Sequence, residues 1–196
     1  VARLVLKTNV DQNVLLLNDR QLVLHWSPSF ERTMDWLDTV TDLDRNLECL
    51  PSTEQLHTRL QSGAGLTSPE LSVLAAYAKI ELARELTLSG LADDPWFSQT
   101  LRDYFPRQLS QRFGEELFTH PLRRQIVATV VANDMINLGG IAFAFRAMEE
   151  TTVSAAAVAR GFVVMRKIWD FDSITEALAQ LPASIPSEHG CAVALD

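Results

Sequence analysis

Asn133 and Asn137 stand one helical turn apart in a largely apolar segment, RRQIVATVVANDMINLGG (123–140), and Arg146 follows on the next predicted helix. At that spacing both amides share one helix face. An amide taken out of water without a partner costs about 1–3 kcal/mol. The pair therefore implies hydrogen bonds to backbone, to each other, to Arg146, or to a ligand or neighbouring domain. One reading has the amides fixing the turn at Gly139-Gly140, with Arg146 capping nearby carbonyls. The other makes Asn133, Asn137 and Arg146 a polar interdomain, interface or ligand contact. Both stay open at this level.

The remaining chemistry-bearing residues form no recognisable constellation. His25, His57, His120 and His189 lack an HExxH spacing and a carboxylate pattern that would complete a metal-ligand set. His120, before Pro121, reads as the residue that leads into a helix. The chain has no GxSxG elbow, no GxxxxGK(S/T) phosphate loop and no GxGxxG turn after a strand. The acidic pairs Asp93-Asp94, Glu115-Glu116 and Glu149-Glu150 are adjacent, so on a helix their side chains diverge and cannot face one another as an acid/base dyad. Asp93-Asp94 suits a helix N-terminus, through its capping oxygen and the helix dipole. No catalytic, cofactor-binding or metal-ligating residue is assigned to this segment.

Composition narrows the class. The 196 residues carry 25 acidic against 17 basic side chains, a net charge of −8, and no basic run longer than Arg123-Arg124. Nucleic-acid binding draws on clustered cations, so no nucleic-acid partner is expected. The longest apolar stretches fall far short of the roughly 20 residues of a membrane span, and no signal peptide is visible, so no membrane partner is expected either. Cys49 and Cys191, far apart and outside any CxxC spacing, read as reduced thiols of a cytoplasmic protein. The opening VARLVLK reads like a helix interior without a capping residue, which fits a piece of a longer chain.

Helical periodicity dominates, and the fold class is all-α, a bundle-like arrangement of about 8–10 helices. Before the Gln61-Ser62-Gly63-Ala64-Gly65 loop, helices are predicted at about 1–8, 11–24, 28–44 and 52–61, with Ser52 and Gln55 as a capping box. Thr67, Pro69 and Glu70 then open a helix reaching to Ser89. It is apolar nearly all round, as a central helix should be, with Lys79, Glu81, Arg84 and Glu85 on its remaining solvated face. Further helices follow at about 121–138, 140–150, 154–169 and 172–181. Residues 1–62 are read as N-terminal helices continuing from an upstream domain, 66–181 as the main helical domain, and 182–196 as a loosely ordered tail.

LTSPELSVLAAYAKI (66–80) is too specific to be generic, and DRNLECLPS (44–52), DDPWF (93–97), YFP (104–106), RFGE (112–115) and HPLRRQIVATVVAN (120–133) accompany it. In this order the segments resemble the C-terminal region of the large multidomain bacterial NAD-dependent glutamate dehydrogenases, over about residues 9 to 170. The resemblance implies a polypeptide that converts L-glutamate, NAD⁺ and water to 2-oxoglutarate, ammonium and NADH. It implies that the substrate lysine and dinucleotide fold lie upstream, with NAD bound there and no cofactor here. The segment's partners would be the upstream catalytic domain and further copies in a homo-oligomer. Around Leu138 to Phe143 the sequence departs from the family pattern, where a basic residue before the glycine and a threonine near position 142 are commoner. Two other classes compete: a free-standing helical adaptor with a peptide groove, and a small-molecule effector module.

Overall fold

A computed structural model of the chain describes residues 2–179, and among them lie nine α-helices and no strand. The first, α1 (Ala2–Val40), contains the non-helical residue Trp26 (φ −128°, ψ 29°), just before Pro28. Proline removes a backbone N–H and crowds the preceding turn, which accounts for the kink. The expected break near residues 9–10 is absent: Asn9 and Val10 lie on an exposed face of continuous helix, and nothing there obliges the backbone to stop. The predicted 28–44 helix ends at Val40. Asp44 then organises a turn by accepting the Asn46 and Leu47 N–H groups.

Local signals place the next two helices. In α2 (Thr53–Gln61) and α3 (Ser68–Leu88) both expected capping boxes form, Ser52 with Gln55 and Thr67 with Glu70. Glu70 also takes Arg59 at 2.8 Å, so its carboxyl is shared between the α3 cap and α2. Between them Gly65 packs so closely that a Cβ would lie 2.8 Å from the Val23 side chain. The loop is thereby seated on α1.

Short α4 (Ser98–Tyr104) and α5 (Arg107–Arg112) lead to α6 (Arg123–Gly139), α7 (Phe143–Thr151), α8 (Ala155–Ile168) and α9 (Phe171–Ala179). Helices α3 and α6 form the central pair. Leu71, Leu74, Leu82 and Leu86 of the first and Val127, Val131, Met135 and Ile136 of the second are all buried. Leu15, Val23, Phe30, Met34 and Leu37 bring α1 into the same core.

The solvated face assigned to α3 needs correction. Ile80, on a helix read as apolar nearly all round, is 66% exposed, whereas Glu81 is buried and bound through both carboxylate oxygens to Arg84. Helices α1, α6 and α8 all pack against α3, and Ser72, Ala76, Ile80, Arg84 and Leu88 mark the stripe left exposed. The predicted 140–150 helix starts at Phe143, since residues 140–142 form the turn. The tail at 182–196, Cys191, His189 and the end of the 172–181 helix lie outside the described residues.

Candidate functional site

The three polar residues singled out by type and spacing do not meet as one cluster. Asn137 accepts a hydrogen bond from Lys79 Nζ at 2.7 Å, linking α6 to α3. Asn133 is half-buried one turn earlier on α6, and no side-chain hydrogen bond from it occurs among the described residues. Among the described residues Arg146 caps no carbonyl. Its guanidinium lies 4.4 Å from the centroid of Trp26, beside the α1 kink, and pairs with Glu150 at 3.7 Å. A cation over an exposed indole contributes about 0.5–1 kcal/mol.

The turn between α6 and α7 is held by a residue that the sequence reading missed. Asp19 of α1 is fully buried, and its Oδ2 accepts the Ile141 N–H at 2.9 Å. Its Oδ1 is buried and has no partner among the described residues. Gly140 has φ +91° and ψ 162°, a conformation open essentially to glycine alone. A Cβ there would stand 2.9 Å from Asp19 Oδ1. Burial pushes the Asp19 carboxyl up from 3.8 to about 7, and the Ile141 N–H pulls back part of that rise. One signal was available in the sequence: Leu15, Asp19 and Val23 share a helical stripe whose other two members are core residues.

Along the same seam α7 is fastened to α1. Phe145 stacks on Trp36 with centroids 5.2 Å apart, and Arg32 donates to Glu149 at 3.0 Å. Lys79 is half-buried, and desolvation lowers its ammonium below the ordinary lysine range.

The other candidates take structural positions. The His120 ring accepts the Leu122 N–H at 3.1 Å, at the start of α6. Asp94 accepts the Trp96 N–H, which with Arg160 holds its carboxyl below the usual range. Asp93 bridges Arg123 and Arg124, and Arg123 above all depresses its carboxyl. Two open clefts lie away from the three polar residues. One, of about 550 Å³, is lined by Arg20, Gln21, Leu24 and residues 63–69. The other, of about 360 Å³, is lined by Glu54, Gln55, Thr58 and Arg59. Among the described residues no single helix is long and apolar enough to cross a membrane.

Residues 63–196 match the family model described as glutamate dehydrogenase, C-terminal. The chain belongs to this glutamate dehydrogenase C-terminal family. Over all 196 residues it is 36% identical to the NAD-specific glutamate dehydrogenase of Halomonas elongata. It is also 36% identical to those of Pseudomonas aeruginosa, over 96% of the chain, and Mycobacterium tuberculosis, over 94%. The chain spans 12% of the length of each of these relatives. The likeness to whole relatives includes α1 and α2, which precede the segment matched by the family model. The residues that close the α6–α7 turn, Asp19 and Gly140, thus fall on the two sides of that model's edge.

Proposed function

We propose that this chain is the helical C-terminal part of a cytoplasmic enzyme that oxidises L-glutamate with NAD⁺ and water to 2-oxoglutarate, ammonium and NADH. Its own part is structural: it packs against the catalytic region of the same polypeptide or joins copies into a homo-oligomer. The observation that carries this is the 36% identity, over its whole length, to NAD-specific glutamate dehydrogenases more than eight times longer. The helical fold supports placing the dinucleotide fold outside the described residues. A dinucleotide fold needs a parallel sheet with a glycine-rich turn at a helix N-terminus, and the described residues are helical without a strand.

In this reading NAD binds elsewhere in the polypeptide, residues 1–62 continue from an upstream domain, and no nucleic acid or membrane takes part. Asn133, Asn137 and Arg146 then lie at interdomain or intersubunit contacts. Glutamate-dependent NAD⁺ reduction is the test, measured on the longest natural polypeptide containing the chain and on the chain alone. Turnover by the long form only is expected. Turnover by the short chain overturns the structural role, and none by the long form overturns the activity.

A further inference from the structure

Seven Lys or Arg residues are half-buried among the described residues, and six of them have a carboxylate within 4.0 Å. Arg45 has Asp35, Arg59 has Glu70, Arg102 has Glu115, Arg123 has Asp93, Arg146 has Glu150 and Arg166 has Asp134. Lys79 is the exception. Its hydrogen-bond partner is the neutral side-chain oxygen of Asn137, in a chain whose net charge is −8. Acidic groups are therefore plentiful, yet among the described residues none lies within 4.0 Å of this cation.

We propose that Lys79 and Asn137 form a binding site for a carboxylate supplied from outside the described helices. The inference rests on the interface reading of Asn137 given above and names the chemistry of what meets it. An ammonium group has three N–H donors, and the bond to Asn137 uses one. Because Asn137 accepts through Oδ1, its Nδ2 group is left as a donor beside that ammonium. Asn133, on the same face of α6 and half-buried, adds a second amide. A set made of one cation and amide donors matches an ionised carboxylate, which only accepts. Partial burial strengthens the match, since a desolvated cation gains more from an opposite charge than one in water. Exposed Ile80 and Leu138, each next in sequence to a site residue, offer apolar contact. The carboxylate belongs either to an Asp or Glu side chain elsewhere in the longer polypeptide or to a free carboxylic acid.

Acetylation of Lys79 in the long natural polypeptide, followed by peptide mass spectrometry with exposed Lys167 as internal reference, reads the site. A parallel sample is treated with carbodiimide, which joins an amine to a carboxylate it touches. If Lys79 is protected and becomes joined to a distant Asp or Glu, the site is confirmed and its partner is a side chain. If it reacts like Lys167 until succinate is added, and succinate then protects it saturably, the site is confirmed for a free carboxylate. If succinate has no effect and no cross-link forms, the proposal is overturned, and slow labelling alone then reflects burial. Enzymatic activity is not read in this experiment. A polypeptide without glutamate turnover would sink the function proposed above while leaving the Lys79 site standing or falling by itself.

Discussion

Replacing Asp19 with Asn tests whether a buried acid couples this fold to pH. Burial carries the carboxyl from 3.8 to about 7, so between those values the folded state holds a proton that the unfolded state has released. A raised carboxyl pKa contributes stability in full below the unfolded value and loses it as pH rises through the folded one. At about 1.4 kcal/mol per pKa unit, the full linkage is about 4 kcal/mol, of which about 2.5 kcal/mol falls between about pH 5 and about pH 8. Asn keeps an oxygen for the Ile141 N–H and places an amide where the protonated carboxyl has its hydroxyl, so D19N imitates the protonated state at every pH. Any cost of its unpaired amide N–H, about 1–3 kcal/mol, is independent of pH.

Urea denaturation followed by far-UV circular dichroism, run on both chains across that range, isolates the effect. The stability of wild type relative to D19N should fall by about 2.5 kcal/mol from about pH 5 to about pH 8. Groups such as Asp93 and Asp94, whose carboxyls are depressed, titrate in both chains and cancel in the difference. Parallel curves across the range would refute the reasoning, because they would mean that the Asp19 carboxyl is no harder to ionise in the fold than in the open chain.

Gly140→Ala forces a side chain into a conformation reserved for glycine and against Asp19 Oδ1, so a loss of about 1–3 kcal/mol is expected in the same urea assay. An unchanged midpoint would mean that the turn has a second conformation open to it. Residues 63–196 produced without α1 and α2 lose Leu15, Val23, Phe30, Met34 and Leu37, all buried. Each such side chain contributes about 1.5–3 kcal/mol, against a total stability of about 5–15 kcal/mol, so this piece should show no cooperative thermal transition. A sharp melt from it would show that α1 is dispensable.

What the sequence made legible was local. The α3 start could be read because Thr67, Pro69 and Glu70 act within one turn, and Ser52 with Gln55 did the same for α2. The all-helical class and the family followed from periodicity and motif order. Long-range placement could not be read in this way. Asp19 and Ile141 are 122 residues apart, and nothing beside Asp19 announces the turn it closes. A carboxylate on a helix is usually solvated, so the pattern puts Glu81 in water, whereas it is buried on a helix that packs against α1, α6 and α8. The spacing of Asn133 and Asn137 says nothing of Lys79, which binds Asn137 from α3 and which the helix pattern puts on the solvated face. A half-buried lysine and an exposed one look alike in sequence.

The interactions that join α7 to α1 differ in how they respond to conditions, and this decides what controls the seam. The Arg32–Glu149 pair is 45% and 39% exposed, so solvent and salt leave it little net weight. Arg146 over Trp26 adds a modest amount at an indole that is itself 47% exposed. The Trp36–Phe145 stack and the burial of Leu15 and Val23 depend neither on pH nor, to first order, on salt. Of the contacts along the seam, the Asp19 bond to Ile141 is the one that couples burial to a proton near neutrality. A fully buried acid with one oxygen unpartnered among the described residues is a costly way to close a turn, since an apolar residue would leave only the Ile141 N–H to satisfy. The cost falls where the N-terminal helix meets the family-matching segment. The seam between those two parts should therefore tighten in mild acid and loosen in mild base, while added salt leaves it nearly unchanged.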